Sequence, residues 1–194
     1  MTRMKKLATA TMTAALLAGV PTVAYAVAPS TASTGTSQAT AAAGAPATKG
    51  GWARVVSPGE RVNAAPGVVL WLTEEGKHWS TPDQPDQFRS VVDGNIDPTR
   101  PSVSLQAETV GDRYFLSGVY VTPDDAADAA TVRVVTGLGA VTGTVVRLPG
   151  HPGWGAWYAT SPLPSSPPLP GSPFIHSVTV FDAGHRPLAT LAIG

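Results

Sequence analysis

The chain has 194 residues, with 13 basic and 13 acidic side chains, 43% hydrophobic residues and no cysteine. Balanced charge without basic clusters excludes the electrostatic footprint of a nucleic-acid binder, whose lysines and arginines must displace counterions from phosphate. The lack of cysteine excludes disulfide staples, thiolate nucleophiles and thiolate-ligated metals, so a hydrophobic core alone must hold the fold.

Arg3, Lys5 and Lys6 open the chain, the apolar run Leu7 to Val20 follows, and Pro21 leads to Ala24-Tyr25-Ala26. Basic, apolar and small-residue segments in that order make a secretory signal peptide over residues 1–26, with cleavage predicted after Ala26. About 14 apolar-to-neutral residues fall short of the roughly 20 that a membrane span needs. No cysteine follows to carry a lipid, and no later stretch is apolar enough to span, so the expected product is secreted and extracellular. Removing these residues leaves 10 basic against 13 acidic side chains, a net charge of −3. Residues 27–51 are rich in Ala, Thr, Ser, Gly and Pro, with no charge before Lys49. Such a composition cannot bury enough apolar surface to offset ordering entropy, and it reads as a disordered tether.

From residue 52 to residue 194, β-branched and aromatic runs alternate with Gly, Pro and Asp turns. Strands are predicted over Trp52 to Val56, Val68 to Thr73, Phe88 to Val92, Val103 to Glu108, Tyr114 to Val121 and Thr131 to Thr136. Further strands are predicted over Val141 to Leu148, Trp154 to Ala159, Phe174 to Phe181 and Leu188 to Ile193. Val110-Gly111-Asp112, Gly137-Leu138-Gly139 and Asp182-Ala183-Gly184-His185 read as hairpin turns, because each supplies a residue that tolerates positive φ. Period 2 places Phe174, His176, Val178 and Val180 on one face, expected to be the core face. Pro123 to Ala130 is long enough only for a short connecting helix. Many short antiparallel strands predict an all-β antiparallel β-sandwich, with an immunoglobulin-like arrangement or a small barrel as the alternative.

The half from Thr131 onward, "TVRVVTGLGAVTGTVVRLPGHPGWGAWYA" and then "HSVTVFDAGHRPLATLAIG", resembles the extracytoplasmic β-domains of secreted and membrane-anchored actinobacterial proteins of unknown function. The resemblance implies a hairpin order: a turn, a strand leading into a Trp-rich strand, and a strand ending in an Asp-Ala-Gly turn. It implies no catalytic motif.

Candidate chemistry concentrates in residues 73–87, "TEEGKHWSTPDQPDQ", read as a loop. His78, Glu74, Glu75 and Asp83 there suit general acid and base work or a divalent cation if the fold makes them converge, and Trp79 plugs one end of the core. Asp93-Gly94-Asn95-Ile96-Asp97 starts like a calcium loop, but Pro98 stands where glycine is needed and Ser104 where a bidentate glutamate is needed, so it reads as a turn. His78, His151, His176 and His185 match no zinc spacing, and His176 is expected to be a hydrogen-bonded residue at the core edge. No nucleophile elbow or S-x-x-K motif occurs, although a triad built from distant residues is recognised only by geometry. In Trp154 to Tyr158, one face of the strand carries Trp154 and Tyr158 and the other Trp157, and an exposed ring there would stack on a sugar. Ser161 to Pro173 reads as a stiff, Pro-rich surface connection.

These observations favour a secreted, non-enzymatic binding module with no cofactor and no metal, whose partner is a protein or a cell-wall glycan contacted through Trp79, Trp154, Trp157 and Tyr158. One alternative is a small hydrolase or metal-dependent enzyme using His78, Glu74, Glu75 and Asp83. The other is a carbohydrate-binding module.

Overall fold

A computed structural model describes residues 52–123, 128–166 and 172–193. The signal peptide and tether expected over residues 1–51 lie outside the described residues. So do residues 124–127 of the expected connecting helix and part of the Pro-rich connection. The described residues are all-β, with no helix.

The strands are β1 (Arg54–Val55), β2 (Val62–Ala65), β3 (Val68–Thr73), β4 (Gly76–Ser80), β5 (Gln87–Ser90), β6 (Ser102–Val103) and β7 (Gln106–Val110). Then come β8 (Arg113–Val121), β9 (Ala129–Thr136), β10 (Gly139–Arg147), β11 (Trp154–Pro162), β12 (Ile175–Asp182) and β13 (Pro187–Ala192). β2 to β5 form a four-stranded antiparallel meander. The other strands form a nine-stranded sheet in the order β13-β12-β9-β10-β11-β8-β6, and β13 returns to lie against β6, so that this sheet nearly closes into a barrel. β6 and β7 share one edge of β8, while the short β1 runs parallel to the end of β10. All other pairings are antiparallel.

The nearly closed sheet gives each of its central strands an inside and an outside, and the four-stranded sheet covers part of the outside. Leu116, Val132, Val134, Val145, Trp157, Val178 and Val180 fill the interior, each at most 1% exposed. On the outside of β8, β10 and β11, Phe115, Val146 and Ala156 pack against Val62, Val68, Leu70 and Leu72 of the four-stranded sheet. Burial of each Val or Leu side chain contributes about 1.5–3 kcal/mol, so both layers are major contributors. β8 is therefore apolar almost throughout, since both its faces are covered. Gly118 in its middle has no room for a side chain: an added Cβ would collide with the Ser104 carbonyl oxygen and come within 2.6 Å of the Trp157 indole nitrogen.

The sandwich and the small barrel expected as alternatives thus coexist, one sheet curling on itself and the other lying over it. All three predicted hairpin turns join strands at the expected places. Three local expectations need correction. Val103 to Glu108 splits into β6 and β7, because Ser104 turns its hydroxyl and amide toward Val119 and its carbonyl toward Trp157. His176 is exposed, because a register shift between Ile175 and Ser177 brings Ile175 to the core side with Val178 and Val180. Ala129 and Ala130, placed at the end of the expected helix, open β9.

Candidate functional site

Residues 73–87 are not one loop. Glu74 and Glu75 form a tight turn, and Gly76–Ser80 is the strand β4, paired with β3 on one side and β5 on the other. Glycine at 76 is required by crowding, because a Cβ there would run into the Arg89 carbonyl and come within 2.9 Å of the Phe88 ring. Strand alternation then divides β4: His78 faces outward, while Lys77 and Trp79 face the large sheet.

On the outward face, register places Trp71, His78 and Phe88 side by side on three neighbouring strands. Trp71 and His78 are stacked, with ring centroids 5.2 Å apart and planes 11° apart, and His78 and Phe88 follow at 4.5 Å and 33°. The Arg61 guanidinium covers the far end, 3.4 Å from the Trp71 ring centroid, within cation–π range. His78 Nε2 lies 3.1 Å from Thr73 Oγ1. Partial burial, and then the charge of Arg61, hold the imidazole below its usual ionisation range, with Glu75 opposing. The ladder is graded in exposure, from Trp71 at 8% to Phe88 at 46%.

The inward face is of a different kind. Lys77 is fully buried, its Nζ donating to Gln106 Oε1 at 2.8 Å and to Ser117 Oγ at 2.8 Å, and lying 4.0 Å from the Trp79 ring centroid. Trp79 in turn donates its indole N–H to Glu108 Oε1, while the buried Glu108 Oε2 has no hydrogen-bond partner among the described residues. Lys77 and Trp79 are alternate residues of β4, and Gln106 and Glu108 alternate residues of β7, so the two strands meet as two side-by-side pairs. Burial pushes the lysine ammonium down to about 7, an effect that Glu108 opposes and Arg89 reinforces.

The expected site residues are therefore dispersed. Among the described residues, neither a hydrogen bond nor an ion pair joins His78 to Glu74, Glu75 or Asp83. These three carboxylates are exposed, and among the described residues no group of three or more His, Asp and Glu side chains is placed to hold a metal. Trp79 and Trp157 are not ligand-stacking surfaces: the first is 6% exposed and tied to Glu108, the second 0% exposed and donating to Ser104 O at 3.1 Å. Trp154 and Tyr158 are half-buried against the layer between the sheets, so both faces of that strand are packed. The Asp93 and Asp97 carboxylates close turns on Asn95 and Thr99.

Sequence reasoning missed one acid–base pair. His151, at a φ of 55°, sets Nδ1 2.9 Å from Asp128 Oδ1, and Arg147 lies 3.6 Å from the other carboxylate oxygen. Such a carboxylate can orient an imidazole, but no hydroxyl is hydrogen-bonded to this ring among the described residues, so the pair lacks the nucleophile that acyl transfer needs. Trp71, Phe88 and Arg61 were also missed as a group, because only the pairing of β3 with β4 and of β4 with β5 reveals that they adjoin. The sequence matches no protein-family model, no curated protein and no solved structure at a significant level.

Proposed function

We propose that the domain is an extracytoplasmic binding module without catalytic activity, that its contact surface is the outward face of the four-stranded sheet, and that it takes an envelope glycan. The Trp71–His78–Phe88 ladder carries this reading. Phe88, 46% exposed at the open end of the ladder, offers its ring to the C–H face of a pyranose, while His78 and Trp71 stacked behind it, with Arg61 over the far end, hold that ring in place. Placement outside the membrane rests on the segment from Arg3 to Ala26.

Titration of the purified protein with soluble peptidoglycan fragments and cell-wall polysaccharides, read by tryptophan fluorescence, tests this. Saturable binding is expected, with Phe88→Ala weakening it about tenfold, the equivalent of some 1.4 kcal/mol. Silence across the panel, or binding indifferent to Phe88→Ala, would remove the ladder as the site. Hydrolysis of an ester, peptide or glycoside substrate that His78→Ala abolishes would replace the binding module with an enzyme.

A further inference from the structure

The inward side of β4 holds an arrangement that a binding module does not need. An amine, a carboxamide and a carboxylate are gathered between two sheets, with Lys77 and Ser117 both fully buried. Because a carbonyl bond is about 1.23 Å long, the 2.8 Å contact of Nζ with Gln106 Oε1 puts the amine no more than about 4 Å from Cδ. We propose that Lys77 and Gln106 condense into an intramolecular amide that ties the four-stranded sheet to the barrel-like sheet.

The step balances without an oxidant or any added reagent. The Nζ lone pair of the neutral amine attacks Cδ, Glu108, two residues along the same face of β7, turns in to carry a proton from Nζ to Gln106 Nε2, and the Cδ–Nε2 bond breaks with its electron pair leaving on ammonia. The products are one secondary amide and one ammonia, whose escape to bulk water makes the step one-way. Each participant suits its part. Desolvation favours the neutral, nucleophilic form of Lys77. Glu108 stands two residues from Gln106 on β7, its charge acts on Lys77, and its Oε2 is buried without a hydrogen-bond partner among the described residues, while Oε1 accepts from Trp79. The buried Ser117 Oγ accepts a second N–H of Lys77 at 2.8 Å and so holds the amine in place. Lys77 and Gln106 lie 29 positions apart, so the bond would close a long loop in a chain that has no disulfide to do so.

Mass spectrometry of the full chain and of its proteolytic peptides decides the matter. The expected result is a protein lighter than its sequence by one ammonia, with the peptides carrying Lys77 and Gln106 joined through a bond that resists reductant and hydroxylamine. Glu108→Gln, which keeps an oxygen to accept the Trp79 N–H, is expected to fold and to retain the full sequence mass with the two peptides separate. Wild-type protein at full sequence mass, with the two residues in separate peptides, would overturn the proposal. So would a hydroxylamine-labile link from Gln106 to Ser117, which is an ester. Ammonia loss persisting in Glu108→Gln would overturn the carboxylate's role as proton carrier.

Discussion

Inside the barrel-like sheet, Val132, Val134, Val178 and Val180 close around Trp157, and the one polar atom of that indole is answered by the Ser104 carbonyl. On the other side of β8 and β11, the layer facing the four-stranded sheet has a comparable aliphatic set, yet it also encloses Lys77, Gln106, Ser117 and Glu108. The second layer joins two sheets, and in this register its polar groups meet as Lys77 with Gln106 and Ser117 and as Trp79 with Glu108. Apolar packing rewards any arrangement of about the right volume, whereas the pairs Lys77–Gln106 and Trp79–Glu108 reward one.

Substitutions on the two sides should separate these roles. Trp157→Ala empties the barrel interior and is expected to cost about 3–5 kcal/mol in denaturant unfolding; a loss below ~1 kcal/mol would show that the interior is not the main stabilising layer. Gln106→Ala should have the next largest effect, through loss of the tie between the sheets, which for a loop of this length is worth about 3 kcal/mol. The same variant leaves Lys77 a free amine whose ionisation in the fold is depressed from 10.5 to about 7. The unfolded chain then binds more protons between those values, so stability of the variant should rise from about pH 7 to about pH 10. The wild type, with Lys77 acylated, should be flat over that window. A wild-type curve with the same rise would indicate an amine that is still free.

Smaller effects are expected outside both layers. Asp182 accepts the Arg186 backbone N–H at 2.8 Å and its Nε–H at 2.7 Å, and chiefly the backbone bond holds its carboxyl below the usual range. That contribution is present above the unfolded value of 3.8 and is lost as the pH falls through the lower folded value. Asp182→Asn should therefore flatten the acid limb of the stability curve, and an unchanged limb would assign acid sensitivity to other carboxylates. Phe88→Ala removes an exposed ring and should change stability by no more than about 0.5 kcal/mol while weakening ligand binding. A large stability loss would mark the ladder as structural.

Much of the barrel was legible in the sequence, because Tyr114 to Val121 and Thr131 to Thr136 are β-branched or aromatic runs bounded by turn residues. The four-stranded sheet was harder to read. Its strand β4, Gly76-Lys77-His78-Trp79-Ser80, contains no aliphatic residue, and its innermost side chain carries an amine, so neither hydrophobicity nor alternation marks it as a strand. β2, Val62-Asn63-Ala64-Ala65, is too short and too weakly patterned to stand out. Lys77 and Gln106 became neighbours only through the stacking of two sheets, which no local pattern encodes. The same holds for the ladder: Trp71, His78 and Phe88 are separated in sequence by turns whose register fixes the stack. The bulge that turns His176 outward is likewise invisible to period 2, which assumes an unbroken pleat.

The outward face of the four-stranded sheet is tested most directly by an NMR titration of the isotope-labelled protein with a glycan that it binds. Shifts confined to the Trp71 indole, the His78 ring, Phe88 and the Arg61 guanidinium are expected. Shifts centred on Trp154 and Tyr158 or on the Asp128–His151 pair, with the ladder unmoved, would contradict it.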